Sequence, residues 1–375
     1  MKISTFDSFT LCASPVFMAY MFFIPGVSLA ETFMLASLSL HVVFGSLWQV
    51  KILPWITLVF ACLLLHMLFT GILGSTSSLG YFRLAKFLII ITFLAVVYDK
   101  VDRNILVSIL LFMVALNIVG FLFQHAINLV SGARFALIIP FLPLVNSDLS
   151  VESMNLVLTN DFRPGGLFME PAHLSYFLFF SGLFLHRISV DRKHIILPCI
   201  CLALFGTFSS FGLLAGLILL FFSYGYMSAK IKVMLFLSFM FALPFVASYL
   251  WELTSLIPQL ARLLDPESVA VTGRLFGGGE QAELVEGANR IWGLGFGNFE
   301  LDGFVNGVNY LRLSFGTAGT VIIAIVFVVF SAINYRLSYY YTALLIMSFF
   351  TSLLLTPFVL IALLPLFAGN RNEEI

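Results

Sequence analysis

The sequence predicts an all-α, polytopic integral membrane protein of about twelve transmembrane helices, and three observations carry that expectation. Of 375 residues, 61% are hydrophobic and 10% charged, with a mean hydropathy of +1.05; soluble domains carry roughly 25% charge. Apolar runs approaching the about 20 residues that a bilayer crossing needs recur from end to end. Polar residues gather between the runs, at breaks marked by glycine and proline.

In chain order, the apolar segments cover about 9–23, 32–48, 53–73, 84–98, 104–126, 167–185, 195–208, 210–228, 233–251, 309–334, 339–354 and 357–369, within one membrane domain over 1–375. The start has features of a signal peptide, with Lys2 before an apolar core and Val27-Ser28-Leu29-Ala30 as a small-residue site. Asp7 and a single lysine make a poor basic region, however, so the segment is read as the first span. The expected spans carry their acidic and basic residues at the ends rather than near the bilayer midplane. Of the histidines, His41, His66 and His125 stand singly in apolar runs and are expected to hydrogen-bond within the bundle. The four cysteines, Cys12, Cys62, Cys199 and Cys201, lie in apolar runs and read as packing residues.

A formal net charge of zero excludes the basic face that nucleic acid requires. The distribution of cations is more informative. With residue 1 on the cytoplasmic side, eleven basic residues fall inside and eight outside, the direction that the positive-inside bias requires. Six of the seven lysines are inside, whereas seven of the eight outside cations are arginine. Arginine grips phosphate through two parallel hydrogen bonds, which lysine cannot do. The outer face therefore reads either as a surface that holds an anion or as one whose arginines pair with acids such as Asp148, Asp161 and Glu252.

Two outer loops are long, about 127–166 and 252–308, and are expected to contain short helices. In the second, Glu280, Glu283 and Glu286 recur every third residue and read as a solvated helical face. Gly293-Leu-Gly295-Phe-Gly297-Asn-Phe299 is a glycine-rich turn whose backbone amides can approach an anion or a sugar. The first loop runs into Asp161-Phe-Arg163-Pro-Gly-Gly-Leu-Phe-Met-Glu170-Pro-Ala-His173-Leu-Ser175, the most polar stretch adjoining an apolar run. Pro164 and two glycines end any preceding helix, and Pro171 suits the first turn of the next. Glu170 and His173, three apart, then share a face, and Arg163 joins them if the glycine turn folds back. The same residues also describe an N-cap carboxylate with interfacial Arg and His.

Arg163-Pro-Gly-Gly-Leu-Phe-Met-Glu170-Pro-Ala-His-Leu-Ser175 resembles the motif that opens a transmembrane helix in Wzy-type polymerases, which join lipid-linked repeats of O-antigen, capsule or exopolysaccharide. Three further stretches agree in order and spacing. Thr207-Phe-Ser-Ser-Phe-Gly212 is similar to the polar break between two helices of that family. Thr272-Gly-Arg274 with Gly293–Phe299 is similar to its large periplasmic loop, and Asn309-Tyr-Leu-Arg-Leu-Ser-Phe-Gly316-Thr-Ala-Gly319 to the helix that follows. The resemblance covers about 160–335. It departs from the family where an acidic residue often precedes the last helix's glycine, since Arg312-Leu-Ser-Phe-Gly316 supplies none.

The resemblance implies a GT-C-like membrane glycosyltransferase in the bacterial cytoplasmic (inner) membrane, with its active site facing the periplasm. Its donor is a glycan on undecaprenyl diphosphate, and its acceptor is a fresh lipid-linked repeat unit. Glu170 is the expected base with His173 as the alternate; Arg163, Arg274, Arg290 and Arg312 are the expected diphosphate ligands. Membrane lipid and a chain-length regulator are the implied partners, and neither cofactor nor metal is called for. An O-antigen ligase and a transporter or flippase of the same lipid are the competing readings.

Overall fold

The computed structural model describes residues 3–21, 26–44, 53–72, 78–98, 100–139, 142–144, 164–168, 170–188, 193–207, 209–223, 283, 285–299, 305–333, 338–350 and 356–364. Among them the protein is all-helical, with one isolated bridge between Tyr20 and Leu144. The helices are α1 (Ile3–Phe17), α2 (Leu29–Val43), α3 (Leu53–Ile72), α4 (Ser78–Val97), α5 (Arg103–Ser131), α6 (Pro171–Arg187), α7 (Lys193–Gly206), α8 (Ser210–Ser223), α9 (Ala288–Trp292), α10 (Gly307–Ile333), α11 (Ser338–Phe350) and α12 (Phe358–Ala362).

Among the described residues, three stretches are long and apolar enough to cross a membrane: Gly80–Val97 in α4, Arg103–Ser131 in α5 and Gly307–Val329 in α10. α5 shows why such a helix belongs in lipid. Leu106, Leu110, Met113, Val114, Asn117, Phe121 and Gln124 form its buried face, while Phe112, Leu116, Val119, Leu122 and Phe123 are exposed along the other. A helix that leaves an apolar stripe uncovered at this spacing is solvated by lipid tails. Its length exceeds the expected span at 104–126, and it runs past the residue at which the first long loop was expected to start. Beyond α5 the described part of that loop, 132–139, 142–144 and 164–166, is non-helical, whereas the second loop contains the short helix α9. The expected span at 233–251 lies outside the described residues.

Packing divides the chain into two compact units, each discontinuous in sequence. The first comprises Met1–Met18, Val27–Leu106 and Thr272–Ala362. Within it α1 packs on α2 and α12, α2 on α4, α3 on α4, and α10 on α9 and α11. The start of α1 lies beside the end of α2, so the two are antiparallel. Asp7, ahead of the expected first span at about 9–23, is inside α1 and 0% exposed. Its Oδ1 accepts the Ser37 hydroxyl at 2.5 Å, and its Oδ2 lies 3.1 Å from His41 Nε2. At the other end, Ser28 and Glu31 form a capping box: the Ser28 amide donates to Glu31 Oε2 at 2.7 Å, and the Glu31 amide donates to Ser28 Oγ at 3.3 Å. Residues with the look of a cleavage site are thus the capped start of α2, with Ala30 fully buried. Glu31 also pairs with Lys86 of α4 at 3.2 Å.

The second unit comprises Ala19–Gly26, Val107–Val271 and Leu363–Ile375. α6 is its centre: every residue from Leu174 to Leu185 is buried, as expected of a helix that is apolar all round. α7 and α8 pack on α6 and on each other. Cys201 and, in the first unit, Cys12 are buried as packing residues, but Cys62 and Cys199 are exposed.

Removing Asp7 takes from His41 and Ser37 the buried acceptor they share. Asp7→Leu is therefore expected to destabilise the first unit by about 1–3 kcal/mol, and Asp7→Leu combined with His41→Leu to recover part of that loss. Thermal unfolding in detergent checks this, and simple addition of the two single losses would count against the pair.

Candidate active site

The turn ahead of α6 is built by glycine. Gly166 adopts φ 60, and a Cβ there would sit 2.9 Å from the Asn117 carbonyl oxygen. The Phe168 amide closes the turn by donating to Gly165 O at 3.0 Å. Two buried amide side chains of α5 hold it: Gly166 N–H donates to Gln124 Oε1 at 2.9 Å, and Leu167 N–H donates to Asn117 Oδ1 at 3.3 Å.

Glu170 is the N-cap of α6, with Pro171 at the first helical position, but its carboxylate makes no capping hydrogen bond. Its main-chain carbonyl instead accepts the amides of His173 and Leu174, at 3.1 and 3.2 Å. The carboxylate is 66% exposed and lies 3.8 Å from His173 Nε2, whose side chain is 23% exposed. The expected shared face therefore exists. At 3.8 Å across a largely exposed carboxylate the attraction is weak.

One turn further on, Ser175 donates to Pro171 O at 2.7 Å and lies 3.0 Å from both Thr207 Oγ1 and Ser209 Oγ. Thr207 and Ser209 form the polar break between α7 and α8, and Ser209 Oγ accepts the Gly212 amide at 2.8 Å. Gly212 permits this approach, because a Cβ would lie 2.7 Å from both Leu204 O and Ser175 Oγ. All three hydroxyls are buried. Nearby, His125 Nε2 lies 3.1 Å from Gly206 O.

The remaining described candidates belong to the first unit. Arg290 is exposed on α9, and Arg312 is half-buried on α10. Neither guanidinium has a hydrogen-bond or ion-pair partner among the described residues. Their backbones are tied together through the break that Gly316 makes in α10, where φ is 66 and ψ −172. The break interrupts the helical ladder, and the carbonyls of Leu313 and Ser314 accept the amides of Leu294 and Gly295 at 2.8 and 3.1 Å instead. Thr317 Oγ1 donates to Arg290 O at 3.0 Å, and His66 Nε2 lies 2.7 Å from Trp292 O.

The glycine-rich turn thus has a different use from the one expected. Its amides at Gly293, Leu294, Gly295 and Asn298 donate to main-chain carbonyls, so they are not available to an anion or a sugar. Arg83 of α4, counted in the sequence only as an outer cation, fastens the turn by donating to the carbonyls of Gly297 and Phe299 at 2.7 and 2.8 Å. Glu283 and Glu286 are exposed, but Glu286 lies in non-helical chain ahead of α9, so the expected helical face does not extend to it. Glu280 lies outside the described residues, as do Arg163 and Arg274, so the described candidates form two sets: Glu170 with His173, and Arg290 with Arg312.

Asn117 and Gln124 were missed because single polar residues in an apolar run carry little weight. Their spacing of seven, which puts both on one helical face, is the signal that finds them.

Gly293 and Gly316 face one another. A Cβ on either would run into the opposite backbone, at Ser314 O and Ile291 O respectively. Because both also hold a conformation open essentially to glycine alone, Gly316→Ala is expected to cost at least about 1–3 kcal/mol and to speed hydrogen exchange at the Leu294 and Gly295 amides. Unchanged exchange there would show that the break is not what docks the turn.

Comparisons with protein-family models, with curated proteins and with solved structures find no match for this chain.

Proposed function

We propose that this protein is a polysaccharide polymerase of the outer face of a bacterial cytoplasmic membrane, which transfers a growing glycan from undecaprenyl diphosphate to a lipid-linked repeat unit. The observation that carries the reading is the pairing of the four stretches on which the resemblance rests. Pro164–Ser175 meets Thr207–Gly212 through the Ser175, Thr207 and Ser209 hydroxyls, and Gly293–Phe299 meets Asn309–Gly319 through the Gly316 break. Stretches chosen for their likeness to one family are joined by main-chain and hydroxyl contacts within each unit.

Helix length supports a lipid-linked substrate. The 17 residues of α6 rise about 25 Å, less than the about 30 Å of bilayer hydrocarbon. With twelve spans and the orientation set by the lysines, Arg187 lies at the cytoplasmic interface and Glu170 is sunk slightly below the outer one. A diphosphate carried in the outer leaflet reaches that depth more readily than a water-soluble nucleotide sugar.

In the reaction, a hydroxyl of the acceptor repeat attacks the anomeric carbon of the donor. The new glycosidic C–O bond forms as the anomeric C–O bond to phosphate breaks, and undecaprenyl diphosphate leaves. The hydroxyl proton passes to Glu170, with His173, 3.8 Å away, as the alternate acceptor. Negative charge grows on the leaving diphosphate, where guanidinium groups stabilise it most; Arg163, Arg274, Arg290 and Arg312 are assigned that role. The reading assigns no metal.

A second reading has an observation in its favour. Asp7–His41 and Glu31–Lys86 are ionisable pairs within apolar helices, a feature of transporters, which expectations based on hydropathy had not included. The glycan profile of a deletion strain separates the alternatives. Single repeats on lipid A core support the polymerase, loss of all glycan from the core indicates a ligase, and no exported repeat indicates a flippase.

Loss of a positioned base costs about 10²–10⁴ in rate, so Glu170→Gln is expected to leave the protein in the membrane and abolish long chains. Chains of normal length on an SDS gel would remove Glu170 from the mechanism. Arg290→Lys keeps the charge and loses the fork, so it is expected to lose much of the activity that Arg290→Ala loses; a fully active lysine variant argues against a two-pronged grip.

A further inference from the structure

We propose that Asn117 and Gln124 of α5 are positioning residues for the catalytic carboxylate, fixing the turn that delivers Glu170 to the head of α6; this rests on the role given to Glu170 above. Both side chains are buried, at 0% and 1% exposure, and they stand two helical turns apart on one face. An amide placed in apolar surroundings is costly unless its hydrogen bonds are made. Leucine would fill either position more cheaply, yet two amides occur here and both reach the same short turn.

Each amide is used at both ends. Asn117 Oδ1 accepts the Leu167 amide while Nδ2 donates to Met113 O at 2.8 Å, and Gln124 Oε1 accepts the Gly166 amide while Nε2 donates to Phe135 O at 3.0 Å. Their donor ends anchor them to protein backbone, and their acceptor ends hold two consecutive amides three to four residues ahead of Glu170. On the other side, Ser175 holds the Pro171 carbonyl from the hydroxyl cluster. The backbone around Glu170 is therefore gripped on both sides, although the carboxylate is two-thirds exposed. Such a grip adds nothing to substrate affinity. It sets where the carboxylate stands, and a misplacement of about 1 Å costs about 10²-fold in rate.

The test uses the full-length protein in liposomes, supplied with the lipid-linked glycan that accumulates in a strain lacking the gene. Gln124→Met and Asn117→Leu keep the volume and remove the acceptor. Each is expected to lower kcat about 10²-fold with KM within about twofold. Gln124→Glu retains the acceptor for the Gly166 amide and is expected to recover at least tenfold of the loss. Hydrogen exchange at the Gly166 and Leu167 amides is read in parallel and is expected to quicken in Gln124→Met and to slow again in Gln124→Glu. Unchanged kcat or unchanged exchange in the methionine variant overturns the proposal, as do equal losses in the glutamate and methionine variants, which indicate packing alone. A wild-type protein that builds no polymer from this glycan overturns the polymerase reading instead and takes the catalytic role of the turn with it; the exchange data then decide separately whether the two amides hold it.

Discussion

A polar group inside an apolar helical body has no water to turn to, so the protein must supply its partner or bear several kcal/mol for each one left alone. The described polar contacts of this chain are arranged around that constraint. Asp7 is answered by Ser37 and His41, Glu31 by Ser28 and Lys86, and the single histidines by an aspartate or by backbone carbonyls. In the first unit these pairs tie helices together. In the second, Asn117, Gln124, Ser175, Thr207 and Ser209 are gathered about the start of α6.

That gathering distinguishes scaffold from function. Groups that are fully bonded shape the backbone, and groups left exposed are the ones able to meet a substrate. Glu170 keeps its carboxylate out of the cap position's usual hydrogen bond, and the guanidinium groups of Arg290 and Arg312 make no hydrogen bond or ion pair with other described residues. The glycine-rich turn crosses from one class to the other. Its amides look like an anion cradle in the sequence, yet they are spent on α10, where the break at Gly316 exposes carbonyls that need donors. Arg83 makes the same crossing, from outer cation to fastening of the turn.

Much of the helical layout was legible in hydropathy, because burial in lipid demands continuous apolar runs. The ends were less so. α1 includes Asp7 because distant partners answer its carboxylate, whereas α6 starts at Pro171, as the proline and the glycine turn ahead of it required. The Val27-Ser-Leu-Ala30 stretch has the small residues of a processing site, and in the folded chain Ser28 and Glu31 form the capping box that opens α2.

By itself the sequence determined the class of protein, the helical character of its apolar runs and the common face of Glu170 and His173, since these follow from composition, from local backbone restriction and from a spacing of three on a helix. Tertiary structure decided which polar residues are bonded and which are left open. That outcome depends on residues far apart in the chain, such as Arg83 with Gly297 or Gln124 with Gly166, coming within about 3 Å of each other, and a hydrogen bond's strength falls away too steeply with distance and angle for local pattern to foretell it.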